Sequence, residues 1–223
     1  MVTNKKLDRA QNGPGMVEVV FSVLLSLTLG VLLAALHLVF KPVEVVNKPP
    51  EELVAGQVYF VEGSVNSSKA RQWTRKRQML ADGTSADVTF NEEELNAWMS
   101  SATSQAKKGA DDEMALFEPE RVNFRIQSGA LQVGLLGKLA AAGVTRDLVF
   151  QTRGAFVEGN DGYVFDAKEF YIGSLPAHKV PGLAEFLIKR VIAAQELPED
   201  LKETWRKLKL VAVEDNVLRL VLP

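Results

Sequence analysis

The hydrophobic pattern of this chain opens with an unbroken run. From Val19 to Phe40, VVFSVLLSLTLGVLLAALHLVF holds 22 residues without Asp, Glu, Lys or Arg, and a helix of that length covers about 33 Å at 1.5 Å per residue. That is the thickness of a bilayer core. The apolar region of a cleaved signal peptide is shorter, about 7 to 15 residues, and ends at an A-x-A-like site. Here the run continues into His37-Leu38-Val39-Phe40-Lys41-Pro42. The pattern therefore predicts a retained single transmembrane helix over 19–40, preceded by a tail over 1–18 and followed by a linker over 41–54. Lys5, Lys6 and Arg9 precede the run, whereas Lys41 and Lys48 after it are accompanied by Glu44, Glu51 and Glu52. The bias of basic residues expects a cytoplasmic N-terminus, with residues 55–223 on the periplasmic side of the cell membrane.

Beyond Lys48-Pro49-Pro50, which interrupts any helix, the period changes repeatedly. Gln57-Val58-Tyr59-Phe60-Val61 is β-branched and aromatic, as a strand requires. Asn66-Ser67-Ser68 has the chemistry of a turn and opens a helix. That helix carries Lys69, Arg71, Arg75, Lys76 and Arg77, with no acid between Glu62 and Asp82. On a helical wheel the cations occupy most faces, with Trp73 and Leu80 on one side. One reading is a solvated helix whose long stems cover apolar surface. The other has Arg71, Trp73, Arg75, Lys76 and Arg77 resting on lipid headgroups.

Asn91-Glu92-Glu93-Glu94 then reads as a helix start. Asn91 caps, Glu94 stands three residues on as its capping-box partner, and Glu92 and Glu93 complement the positive end of the helix dipole. After them Leu95, Trp98, Met99 and Ala102 recur at helical spacing. A first turn in solvent explains these acids better than a catalytic pair, which needs carboxyls facing one another across a cleft. Ser100 to Pro119 is polar and reads as a loop or frayed helix end.

Strict alternation follows. Val122, Phe124 and Ile126 alternate with Asn123 and Arg125, Ser128-Gly129 turns, and Leu131 and Val133 resume the period. A second hairpin runs through Leu148, Phe150, Thr152 and Phe156, turns at Gly159-Asn160-Asp161-Gly162, and returns through Tyr163, Phe165, Phe170 and Ile172. Four consecutive antiparallel strands make a meander, and the fold class is α+β. Across Leu183 to Ala194 a helix is predicted that is apolar on most faces. Pro198 opens another with Leu201, Trp205 and Leu208 on one stripe. Strands over Leu210 to Val213 and Val217 to Leu222 flank Asp215-Asn216.

Composition narrows the chemistry. Net charge is −2, from 26 basic and 28 acidic residues, which provides no field for nucleic acid. Cysteine is absent and there are two histidines, so thiolate chemistry is excluded and His-based metal sites nearly so. His178 lies between two prolines and reads as a loop residue. No nucleophile elbow, dinucleotide loop, phosphate loop or calcium loop is present, and neither an enzymatic activity nor a cofactor is expected.

Asn91-Glu92-Glu93-Glu94-Leu95-Asn96-Ala97 resembles the E-x-E-L-N helix start of YpmS-like single-pass extracytoplasmic proteins. Phe170-Tyr171-Ile172-Gly173-Ser174-Leu175-Pro176, with the apolar helix and Glu196-Leu197-Pro198 after it, resembles their C-terminal half. The resemblance covers about 88–222. It implies a relation to the tubular lipid-binding (TULIP) superfamily, in which a curved antiparallel sheet wraps a long helix and holds lipid. On that basis Leu95, Trp98, Met99, Leu183, Phe186 and Leu187 are expected to line a groove opposite Phe124, Ile126 and Leu131, with a membrane lipid or other apolar ligand as partner. The polar stretch from Ser100 to Pro119 and the basic helix lie outside the family pattern. The alternative is a non-catalytic scaffold or assembly subunit that contacts another envelope protein.

Overall fold

The computed structural model describes residues 13–52, 54, 56–84, 86–106, 117–141, 143–159, 162–183, 186 and 199–223. The chain forms two compact units, Met1–Val39 and Phe40–Pro223. Helix α1, Met16–Phe40, dominates the first. Its apolar window has a mean hydropathy of 2.6 and no buried residue. It is long and apolar enough to cross a membrane, a test that a signal sequence also passes. Thr28 Oγ1 donates to the Leu24 carbonyl at 2.8 Å, so this polar side chain is satisfied within its own helix.

In the second unit β1 (Glu44–Val46) and β2 (Tyr59–Val61) pair in parallel. The sequence pattern anticipated only antiparallel strands. The stretch 47–58, with its two prolines, is long enough to carry the chain back to the same end, as parallel pairing requires. A 3₁₀ turn, Ser67–Lys69, leads into α2, Ala70–Ala81. Asn66 Oδ1 accepts from the Ser68 amide at 3.2 Å and from its hydroxyl at 2.7 Å.

Strand β3, Asp87–Asn91, runs directly into α3, Glu92–Ala106. The meander comprises β4 (Phe117–Gln127), β5 (Ala130–Ala141), β6 (Val144–Gly159), β7 (Gly162–Ile172) and the short β8 (Leu175–Pro176), in that order and antiparallel throughout. Bulges between Pro119 and Arg121 and between Arg153 and Gly154 interrupt its register and bend the strands that carry them. The predicted turn at Ser128-Gly129 has φ of 54° and 69°, the left-handed pair a two-residue hairpin needs. Asn160 and Asp161 lie outside the described residues.

After α4 (Glu199–Lys207), β9 (Leu210–Glu214) and β10 (Val217–Val221) form the closing hairpin. Strand β10 also pairs antiparallel with β3, producing a three-stranded sheet of order β3-β10-β9. The sequence reading left Asp87–Asn91 unassigned, although Val88 and Phe90 are buried and their neighbours Asp87 and Thr89 exposed.

The core fills the space bounded by this sheet, one face of the meander, and α2, α3 and α4. Leu80, Val88, Phe90, Leu95, Ile126, Leu131, Leu208, Val211, Leu218 and Leu220 form one buried cluster, with Trp73, Phe124, Val133, Phe156 and Trp205 packed against it. Trp73 stacks on Trp98 at 4.5 Å and tilts against Phe90 at 4.6 Å. Trp205 meets Phe156 edge-on at 5.5 Å, and its indole N–H donates to the Tyr163 carbonyl at 2.9 Å. That bond lets a polar ring edge sit in an apolar interior.

Candidate functional site

Two of the three consecutive glutamates are structural, and Glu94 is not solvated as the sequence suggested. Glu94 is 1% exposed; it completes the capping box and binds Lys76 Nζ at 2.7 Å. One Glu92 oxygen accepts the Ile126 amide at 2.9 Å, and the other accepts the Ser64 amide and hydroxyl. Asn96, also buried, accepts the Phe124 amide at 2.6 Å and donates to the carbonyls of Phe124 and Ser64 at 2.7 and 2.9 Å. Asn123 accepts the Gly63 amide at 2.8 Å. Glu92 and Asn96 stand in for a neighbouring strand along the outer edge of β4, so the Phe124 amide and carbonyl and the Ile126 amide are paired without one. A Cβ on Gly63 would lie 1.9 Å from the Phe124 carbonyl oxygen, which is why the chain can pass there.

The sequence-predicted groove residues divide. Leu95, Ile126 and Leu131 are buried together in the core cluster, with Phe124 against it, while Trp98 is stacked on Trp73 and Met99 is partly buried. Leu183 is partly buried, Phe186 is 60% exposed, and Leu187 lies outside the described residues. On α2, Arg71 and Arg75 are exposed and Arg77 partly buried. Trp73 turns inward, and Lys76 reaches Glu94, the Thr89 carbonyl at 2.8 Å and the face of Phe90 at 5.8 Å. The helix therefore retains fewer outward cations than its sequence implies, because Glu94 draws one of them in.

Register shows how the inner face of the meander continues past the core. Val122, Leu135, Phe150 and Ile172 stand side by side across four strands, one row beyond Phe124 and Val133. All four are partly exposed. Phe117 lies over Gly137 and meets Phe150 edge-on at 5.2 Å, extending the apolar surface further.

The outer face carries a different surface. Phe60, fully buried, lies on Gly134, where a Cβ would come within 2.1 Å of its ring. This contact seats the β2 segment across the sheet and leaves a cleft of about 390 Å³ beside it. Register sets Gln132 opposite Arg153 and Arg153 opposite Glu169; in the adjoining row Gln151 stands opposite Tyr171. All five line the cleft, with Tyr59 as part of the other wall. Burial, and then the nearby Glu169 charge, raise the Tyr171 pKa above its usual value, so its hydroxyl stays protonated and able to donate. The sequence reading missed this site. Its residues alternate with apolar ones in the right period, but only the pairing of distant strands brings them together.

His178 sits against the backbone of Phe170, its Nδ1 3.2 Å from the amide nitrogen and 3.1 Å from the carbonyl oxygen, and its ring packs edge-on to Tyr171. No group of three or more His, Asp or Glu side chains placed to hold a metal occurs among the described residues. No protein-family model matches the chain, and no curated protein or solved structure matches it.

Proposed function

We propose that the chain is a bitopic membrane protein, held by α1 with its N-terminus in the cytoplasm, whose extracytoplasmic domain binds or shields the acyl part of a lipid-like ligand. The observation that carries this reading is the partly exposed row Val122, Leu135, Phe150 and Ile172, which prolongs the apolar face of the meander beyond the residues that fill the core. The occupant is argued from α1: a helix of its length and hydropathy, inserted in a bilayer, tethers the following unit where acyl chains are the abundant apolar ligand. Acyl burial contributes about 25 cal/mol per Å² before ordering costs. Exposed Arg71 and Arg75 on α2 are available to anionic headgroups.

The test is native mass spectrometry and organic extraction of the full-length protein, purified from membranes in mild detergent. A stoichiometric acyl lipid that is lost in Phe150→Gln and in Ile172→Gln, with circular dichroism unchanged, supports the reading. A lipid-free protein sinks it.

A second reading, a non-catalytic assembly subunit of an envelope complex, is favoured by the packed core around Leu95, Ile126 and Leu131. It expects no ligand and a stoichiometric protein partner in the same preparation.

A further inference from the structure

We propose that the cleft on the outer face of the meander binds a small zwitterion, a carboxylate or phosphate carried together with an ammonium group. It lies on the opposite face of the sheet from the acyl surface and does not rest on the lipid reading.

Gln151 carries the first part of the argument. It is 7% exposed and lines the cleft, from which a ligand can reach its side-chain amide. An amide offers such a ligand both a donor and an acceptor.

Arg153 and Glu169 define the ligand's charge. They face each other in register on β6 and β7, both are exposed, and no ion pair joins either to a described residue. A purely anionic ligand is drawn to the guanidinium and repelled by the carboxylate, and a cation meets the reverse. A zwitterion satisfies both, with the planar guanidinium matched to carboxylate or phosphate oxygens. The rings of Tyr59 and Tyr171 line the same space, where an aromatic face favours an ammonium group. The volume, about 390 Å³, falls at the small end of ligand sites. Phe60 on Gly134 holds the wall in place without a ligand, so little ordering cost falls on binding.

Two sources carry this chemistry, a free amino acid and a phosphoethanolamine headgroup. Isothermal titration calorimetry on the full-length protein in detergent separates them, with L-alanine and glycerophosphoethanolamine as zwitterions and glycerophosphate and ethanolamine as single-charge controls. Saturable binding of either zwitterion is expected, with the controls weaker by about tenfold or more. Preference for alanine assigns the soluble source, and preference for glycerophosphoethanolamine assigns the headgroup. Arg153→Gln, at an exposed position, should weaken zwitterion binding by about tenfold, and Gln151→Leu should act in the same direction. Glu169→Gln should narrow the gap between glycerophosphate and the zwitterions. Absence of saturable binding by both zwitterions, equal binding of glycerophosphate to the unaltered protein, or indifference to Arg153→Gln overturns the proposal.

Discussion

Asn91 and Glu94 satisfy each other across the first turn of α3. Asn91 Oδ1 accepts the Glu94 amide at 2.9 Å, and a Glu94 oxygen accepts the Asn91 amide at 3.0 Å. The same carboxylate holds Lys76, so one buried acid ends β3, begins α3 and ties α2 to both. The acid is retained in the interior because its charge is paired and its oxygens are hydrogen-bonded.

Asn91→Ala should lower stability by about 1 kcal/mol, the usual worth of an N-cap. Glu94→Ala should cost more, about 3 kcal/mol, because it also strands the Lys76 ammonium. Urea denaturation of the full-length protein measures both. A cycle of Lys76→Met with Glu94→Gln should show a coupling of about 1 kcal/mol or more, and additive single effects would remove the ion pair from the account.

Asn96→Asp is nearly isosteric, yet it should destabilise at least as much as Asn96→Ala, by roughly 3 kcal/mol. The new carboxylate would face the carbonyls of Ser64 and Phe124, which the amide now serves as donor. Denaturation midpoints of the two variants decide it, and an Asp variant as stable as the unaltered protein contradicts the bridging role.

Gly134→Ala should destabilise by about 2 kcal/mol through overpacking, since its Cβ would enter the Phe60 ring. Phe60→Leu added to it should recover part of the loss, although alone it is destabilising. If the double variant is no better than the sum of the two, the Phe60 contact is not what the glycine accommodates.

Asp87 bonds Arg219, at 2.6 Å and 3.1 Å, and this hydrogen bonding holds the Asp87 pKa below its ordinary value of 3.8. A lowered folded-state pKa contributes stability above the unfolded value and loses it as pH falls through the folded one. Asp87→Asn should therefore be less stable than the unaltered protein at neutral pH, with the gap closing below about pH 4. Both partners are at the surface, so the effect is small and salt-sensitive. A gap that widens on acidification contradicts the assignment.

The sequence made visible what short range decides. The apolar run of α1, the Asn91–Glu94 capping box, the Ser128-Gly129 turn and the alternation in β4 to β7 each depend on neighbours a few residues apart. Asp215, at φ of 45°, marks the last hairpin for the same reason. Illegible were the relations set by distant pairing. The partner of β3 lies more than a hundred residues away, and the parallel β1–β2 pair carries no local turn signal. The acids at the start of α3 looked solvated because nothing nearby in sequence announces that Ser64, Ile126 and Lys76 converge on them. The cleft residues Gln151, Arg153 and Glu169 form rows only once the hairpin register and the bulge at Gly154 are known.

Among the described residues strand β3 pairs only with β10, with Asp87 opposite Val221 and Asn91 opposite Val217. A ribosome delivering this chain has therefore emitted more than a hundred further residues before Val88 and Phe90 find their partners on β10. The meander can zip locally as each hairpin emerges, whereas the three-stranded sheet waits for β10 and pays a far longer loop closure. A chain cut short before Val217 would keep its hairpins and present β3 as a bare apolar edge, the kind of surface that recruits a second molecule in place of the missing strand.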